Sequence, residues 1–268
     1  MEATRTTTIL LRKSRMNRSQ TLRFLVVLTA LCSPLRGAPP STANPTDMNS
    51  TLIEARAISK PDTATPSSWE RLFSDAPATP LVGLPGEDEE ALREPASVKF
   101  GVCEGSLWAY VIVQDDHLYN TASNFNDLIY RFGDTIEVFL EVKDTENYLE
   151  FHFSPSNQRL QLDWNEENRA LKSQGNLDLN KLFIPAPEIL DSFSSVNGNQ
   201  WQLLVRIPTD LFGIEYGTAA AISISVCRYN YHTDGNFTLS STSPHKVPNF
   251  HKKSDWLELS IPVSEDAH

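Results

Sequence analysis

Residues 130–164 read YRFGDTIEVFLEVKDTENYLEFHFSPSNQRLQLDW, and hydrophobic and polar positions alternate through most of the stretch. Over 135–142, Ile136, Val138, Leu140 and Val142 take one set of alternate positions, and Thr135, Glu137, Phe139 and Glu141 the other. Over 148–153, Leu149, Phe151 and Phe153 oppose Tyr148, Glu150 and His152. Over 159–164, Leu160, Leu162 and Trp164 oppose Arg159, Gln161 and Asp163. A period of two sends successive side chains to opposite faces of a strand, so the pattern predicts three consecutive strands, each with one buried face. If they are neighbours, their polar sets form one open shelf carrying Glu137, Glu150, His152, Arg159 and Gln161.

Further strands are expected at 97–103 and 107–114, joined by the turn Glu104-Gly105-Ser106. Residues 177–184 and 189–196 read as edge strands split by Pro185 and Pro187, since proline is poorly tolerated in central strands. Asn197-Gly198-Asn199 marks a turn before a strand at 201–207, and 219–229 and 256–261 complete the set. Trp69 to Phe73 is a short apolar cluster expected to pack on the domain, and 165–175 reads as a helical turn or a loop. No amphipathic helix of three turns and no internal repeat is evident beyond residue 38. The fold class expected is all-β, an antiparallel β-sandwich or jelly roll.

Residues 22–35 (LRFLVVLTALCSPL) follow Arg18 and precede Arg36, as in a secretory signal peptide, with Met16 an alternative start. The apolar run is far short of the roughly 20 residues that span a bilayer. The expected organisation is therefore a signal peptide (1–38), a flexible tether rich in Pro, Ser and Thr (39–68), and one domain (69–268). The address is exported: periplasmic, cell surface or extracellular. Up to residue 38 there are seven Lys/Arg and one Glu; beyond it, 16 Lys/Arg face 33 Asp/Glu, a net charge of −17. A domain so acidic is repelled by phosphate backbones, which argues against a nucleic-acid partner. Cys103 and Cys227 remain beyond the leader, either as a disulfide or as two separately buried thiols.

Catalytic signatures are sparse. The histidines lie in no metal-ligating spacing, no nucleophile elbow or Gly-rich phosphate loop occurs, and Glu87-Asp88-Glu89-Glu90 reads as a solvated loop or a helix start. His245 and His251 fall in a Pro-rich loop, where both are expected to be exposed. Asp115, Asp116 and Asn120 could ligate a structural calcium at a strand end, the alternative being an ordinary capped turn. Glu137 and Glu150 could face each other as a hydrolytic pair, but carboxylates on a sheet face are more often ion-paired. Tyr130, Glu137, His152, Arg159, Gln161 and Phe250 supply what a sugar needs: rings for its flat C–H faces and polar groups for its hydroxyls.

The runs LWAYVIVQDD, GDTIEVFLE and YLEFHFSPSNQRLQLDW, with Trp69 early and DWLELSI at the end, resemble carbohydrate-binding family 9-like domains, which are related to DOMON β-sandwiches. The resemblance covers residues 69–261. It implies a jelly-roll sandwich that binds plant-type polysaccharides or oligosaccharides such as glucan and xylan, often alongside secreted hydrolases. The family's sugar-gripping glutamate falls on Glu137, and its arginine near His152. One stacking tryptophan falls at Tyr130 or Arg131; the other falls within 243–250, which contain no Trp. The function expected is an exported, non-catalytic carbohydrate-binding protein accessory to polysaccharide degradation, the alternatives being a glycoside hydrolase or a fragment of one, or a structural cell-surface domain.

Overall fold

The computed structural model describes residues 52–86, 93–215 and 217–263. The expected signal peptide and the acidic run at 87–90 lie outside the described residues. Thirteen strands are described, arranged as two facing sheets joined along one edge. In the first sheet, β6 (Thr135–Glu141), β7 (Tyr148–Phe153) and β8 (Arg159–Trp164) run side by side, with β8 at the edge. Next to β6 lies β11 (Ala220–Tyr231), whose far side is shared by β12 (Phe237–Ser241) and β13 (Leu257–Ile261). The second sheet holds β4 (Ala96–Cys103), β5 (Ser106–Gln114), β10 (Gln200–Pro208) and β9 (Asp191–Asn197) in that order. Strand β3 (Thr79–Gly83) pairs with both β12 and β4 and so joins the sheets. All pairings are antiparallel except those of β1 (Leu52–Glu54) with β13 and β2 (Arg56–Ala57) with β4.

The expected all-β sandwich is therefore the observed one, and the three central strands agree with the alternation within a residue. Their inner faces place Ile136, Val138, Leu140, Leu149, Phe151 and Phe153 against Val98, Phe100, Val111, Trp201, Leu203 and Val205 of the second sheet. The β4–β5 turn is two residues long, with Glu104 and Gly105 at φ 45° and 66°, the mirror-image turn that matches strand twist. Other expectations are corrected. Residues 177–184 form no strand: they make a 3-10 turn at Leu179–Lys181 and a single bridge from Phe183 to Leu162. Strands β3 and β12 are short and carry Pro80 or a polar majority, so their pattern gave no signal. Within the stretch expected to be tether, β1 and β2 pair with β13 and β4, so the ordered unit starts ahead of Trp69. The 165–175 segment contains helix α2 (Glu166–Ser173); Asn165 caps it by accepting from the Asn168 amide, with Glu166 and Glu167 at the positive end of the dipole.

Both outer faces are also covered. Helix α1 (Trp69–Leu72) and Phe73 close the second sheet's outer face over Tyr110 and Trp108. The first sheet's outer face is covered by the turn around Ile129, by residues 177–183 and by the loop containing Phe250. Cys103 lies in the first of these outer clusters and Cys227 in the second, and both thiols are free. With two sheets between them, spaced about 10 Å apart in a sandwich, they are beyond disulfide reach. Asp115 is likewise spoken for: Arg228 donates to it at 2.7 Å, and the His117 amide at 2.6 Å. Among the described residues no helix is long and apolar enough to cross a membrane.

Candidate functional site

The GDxxE piece of the sequence divides into a structural half and a chemical half. Gly133 has φ 143°, and a Cβ there would stand 2.2 Å from the Tyr119 carbonyl oxygen, so only glycine fits. Asp134, fully buried, accepts from the backbone amides of Tyr119 (2.7 Å) and Tyr231 (2.9 Å), bolting the entry loop to β11. These two residues deliver Glu137 two positions into β6, on the outer face.

Register decides which predicted residues meet there. Glu137 is opposite His152, and Phe139 opposite Glu150, so all four share the outer face. On β8, however, Leu162 is opposite Glu150 and Leu160 opposite His152, whereas Gln161 is opposite Phe151 and Arg159 opposite Phe153. Arg159 and Gln161 therefore point to the inner side, away from Glu137. They do structural work there: Arg159 Nη1 donates to the Leu190 carbonyl at 2.6 Å, and Gln161 Nε2 to the Ala186 carbonyl at 3.0 Å. The strand order was right and the face of one strand was wrong. The shelf is also not open, since Glu137, Glu150 and His152 are 3%, 4% and 1% exposed.

The covering segments leave a cavity of about 60 Å3 over these residues. Glu137, His152, Glu150, Phe139 and Tyr229 form its floor, and Tyr130, Leu128, Leu162, Trp164, Leu179, Leu182 and Phe183 its walls. Residues 248–251, including Phe250 and His251, form the roof. Of the six expected binding residues, Tyr130, Glu137, His152 and Phe250 are thus brought together. Tyr130 sits in the 3-10 turn Ile129–Arg131, its ring 5.7 Å from His152 and 5.8 Å from Tyr229. Trp164, Tyr229 and His251 were missed as site residues. Trp164 falls in an alternate set that reads as core, and His251 was expected to be exposed.

The floor is an acid–imidazole–acid array. His152 Nε2 lies 2.6 Å from Glu150 Oε1, and its Nδ1 3.2 Å from Glu137 Oε1, though misaligned for a hydrogen bond. Glu150 also accepts the Trp164 indole N–H at 2.5 Å, so both its oxygens are engaged. Burial would lower the His152 imidazole, but the flanking Glu137 and Glu150 carboxylates outweigh it and raise it. Burial pushes Glu137 up to about 8, helped by the Glu150 charge and opposed by His152. Burial also works to raise Glu150, yet His251, His152 and the indole hold it down to about 2. Desolvation drives His251 to about 3, so it is neutral near pH 7 and accepts the Tyr148 hydroxyl at Nδ1, 3.1 Å away. Of the two imidazoles near Glu150, His152 is thus the one whose proton affinity is raised. Glu137, Glu150 and His152 also offer ligand atoms within 4.8 Å of one another, but Glu150 and one His152 nitrogen already bond each other.

Solved structures share this fold. A protein of Bacteroides uniformis assigned to carbohydrate binding superposes with a TM-score of 0.62 at 14% identity, over 78% of this chain and 98% of that one. A family 9 carbohydrate-binding module of Caldicellulosiruptor kristjanssonii, bound to cellotriose, gives 0.56 at 10% identity over 80% and 95%. The same organism's module with glucose gives 0.54 at 10% identity over 81% and 98%. No family model and no curated protein matches the sequence. At these identities the likeness defines the fold alone, the β-sandwich that these carbohydrate-binding modules share.

Proposed function

We propose that this chain is an exported, non-catalytic carbohydrate-binding protein that takes a glucan-type oligosaccharide, accessory to polysaccharide breakdown. The observation that carries the reading is the pair at the cavity floor: the Glu137 carboxyl lies 3.2 Å from His152 Nδ1, a buried nitrogen without a hydrogen-bond partner among the described residues, and the rings of Tyr130 and Tyr229 line the same cavity. Buried polar groups in proteins almost always have partners, and those without one are explained by function. A sugar hydroxyl donating to Glu137, with its C–H face against an aromatic ring, would satisfy both. The structural neighbours bound to glucose and cellotriose support the same class of ligand. The cavity measures about 60 Å3, whereas one water needs ~10–15 Å3, which favours the end of a chain over its middle. Hydrolysis is disfavoured on chemical grounds. It needs two carboxyls free to face a glycosidic bond, and both oxygens of Glu150 are committed.

Calorimetric titration with glucose, cellobiose and xylobiose, and with the reduced alcohols of the disaccharides, tests this beside Glu137→Ala. Binding that the substitution weakens about tenfold or more is expected, with loss on reduction of the chain end. A folded protein that binds no sugar in a broad panel refutes it.

A further inference from the structure

Glu137 faces a cavity whose lining holds no lysine or arginine. Leu128, Leu162, Leu182 and Phe183 carry no donor, while Tyr130, Tyr229 and Asn249 bring neutral donors and the two tyrosines add aromatic rings. The charges that face it can be read element by element. From β7 come Glu150 and His152, with the imidazole already committed through Nε2 to Glu150. From β11 come Cys227 and Tyr229, both kept protonated by burial. The roof contributes His251, neutral near pH 7. Arg131 lies beside Tyr130, its guanidinium 5.5 Å from that ring's centroid. Lys172 Nζ stands 4.6 Å from the ring centroid of the wall residue Trp164. While Glu137 is protonated the floor holds one carboxylate beside His152, and its ionised form sets two carboxylates against that one imidazole at low dielectric.

We propose that the ligand group reaching Glu137 is a protonated amine, so that the preferred ligand is a sugar bearing a free amino group. The inference rests on the carbohydrate-binding reading and narrows it. A hydroxyl binds beside the protonated, neutral carboxyl and offers one hydrogen bond. An ammonium of nearly the same size pairs with the ionised form, donates up to three bonds, and is attracted by aromatic faces such as those of the rings that line the cavity. At longer range, the net −17 of residues 39–268 draws a cationic ligand in. Because burial keeps Glu137 protonated without a cation, an amine that binds must displace that proton. The proton passes from the Glu137 carboxyl to solvent buffer while the ligand keeps its own.

The test titrates the full chain with glucose, glucosamine and N-acetylglucosamine near pH 6.5, in two buffers of different ionisation heat. Glucosamine is expected to bind about tenfold tighter than the two neutral sugars, with release of roughly one proton per site. Glu137→Gln should abolish both the preference and the release. If that variant does not fold, proton release by the unmodified chain decides alone. Glucose binding as tightly as glucosamine, with no proton released, overturns the amine inference and leaves the carbohydrate reading standing. Failure of all three sugars overturns both.

Discussion

Replacing Glu137 by Gln should change how stability depends on pH more than it changes stability itself. The perturbation keeps the shape of the side chain and removes one buried titratable proton. Burial moves the Glu137 carboxyl from an ordinary value of 4.5 to about 8 in the folded chain. Between those values the unfolded chain has lost this proton and the folded chain keeps it, so the unfolded state binds fewer protons. Stability then falls as pH rises through that window, the reverse of the usual behaviour of a salt-bridged carboxylate. A displacement of that size is linked to at most on the order of 5 kcal/mol. His152, 3.2 Å away, shares the charge and reduces this, so the difference between the wild type and Glu137→Gln should change by about 2–4 kcal/mol across the window. For a domain of this size, that is a relative change in Tm of about 5–15 °C. Thermal and urea unfolding of both proteins from about pH 5 to pH 9 measures it. His152, raised by Glu137 and Glu150, also loses stability as pH rises, and in Glu137→Gln only the Glu150 share of that rise remains. Glu150, held near 2, acts only as pH falls well below 4.5. Stability curves that run parallel for the two proteins would refute the argument.

Two other substitutions test the frame that positions Glu137. Gly133→Ala should cost about 2–4 kcal/mol in urea unfolding, because φ 143° and a Cβ 2.2 Å from the Tyr119 carbonyl oxygen demand backbone movement. Arg228→Met should cost about 3–5 kcal/mol by leaving Asp115 buried without its cation, and Asp115→Asn in the same chain should recover part of the loss.

The strand set of the sandwich was legible because alternation with period two is a local property. Residues 135–141, 148–153 and 159–164 each show it strongly enough to name the strand, and turn residues such as Glu104-Gly105 and Asn197-Gly198 mark where strands end. The motif around Gly133, Asp134 and Glu137 was equally readable, and it brought Glu137 and His152 to the same place. Short strands such as β3 and β12 were not, since Pro80 and a polar run carry no signal without the neighbours that pair with them.

What the sequence alone determined was therefore the all-β class, the central strands, and the meeting of Glu137 and His152 with Tyr130 and Phe250. Which face of β8 joins them was decided only in three dimensions. Alternation gives two sets of side chains per strand but fixes a common face only when one side is wet, and here both sides are covered. Leu160, Leu162 and Trp164 are apolar because loops bury the outer face, which sends Arg159 and Gln161 inward. The same cover turns an expected open shelf into a cavity and lifts the proton affinity of Glu137, and only distant segments meeting in the fold can do that.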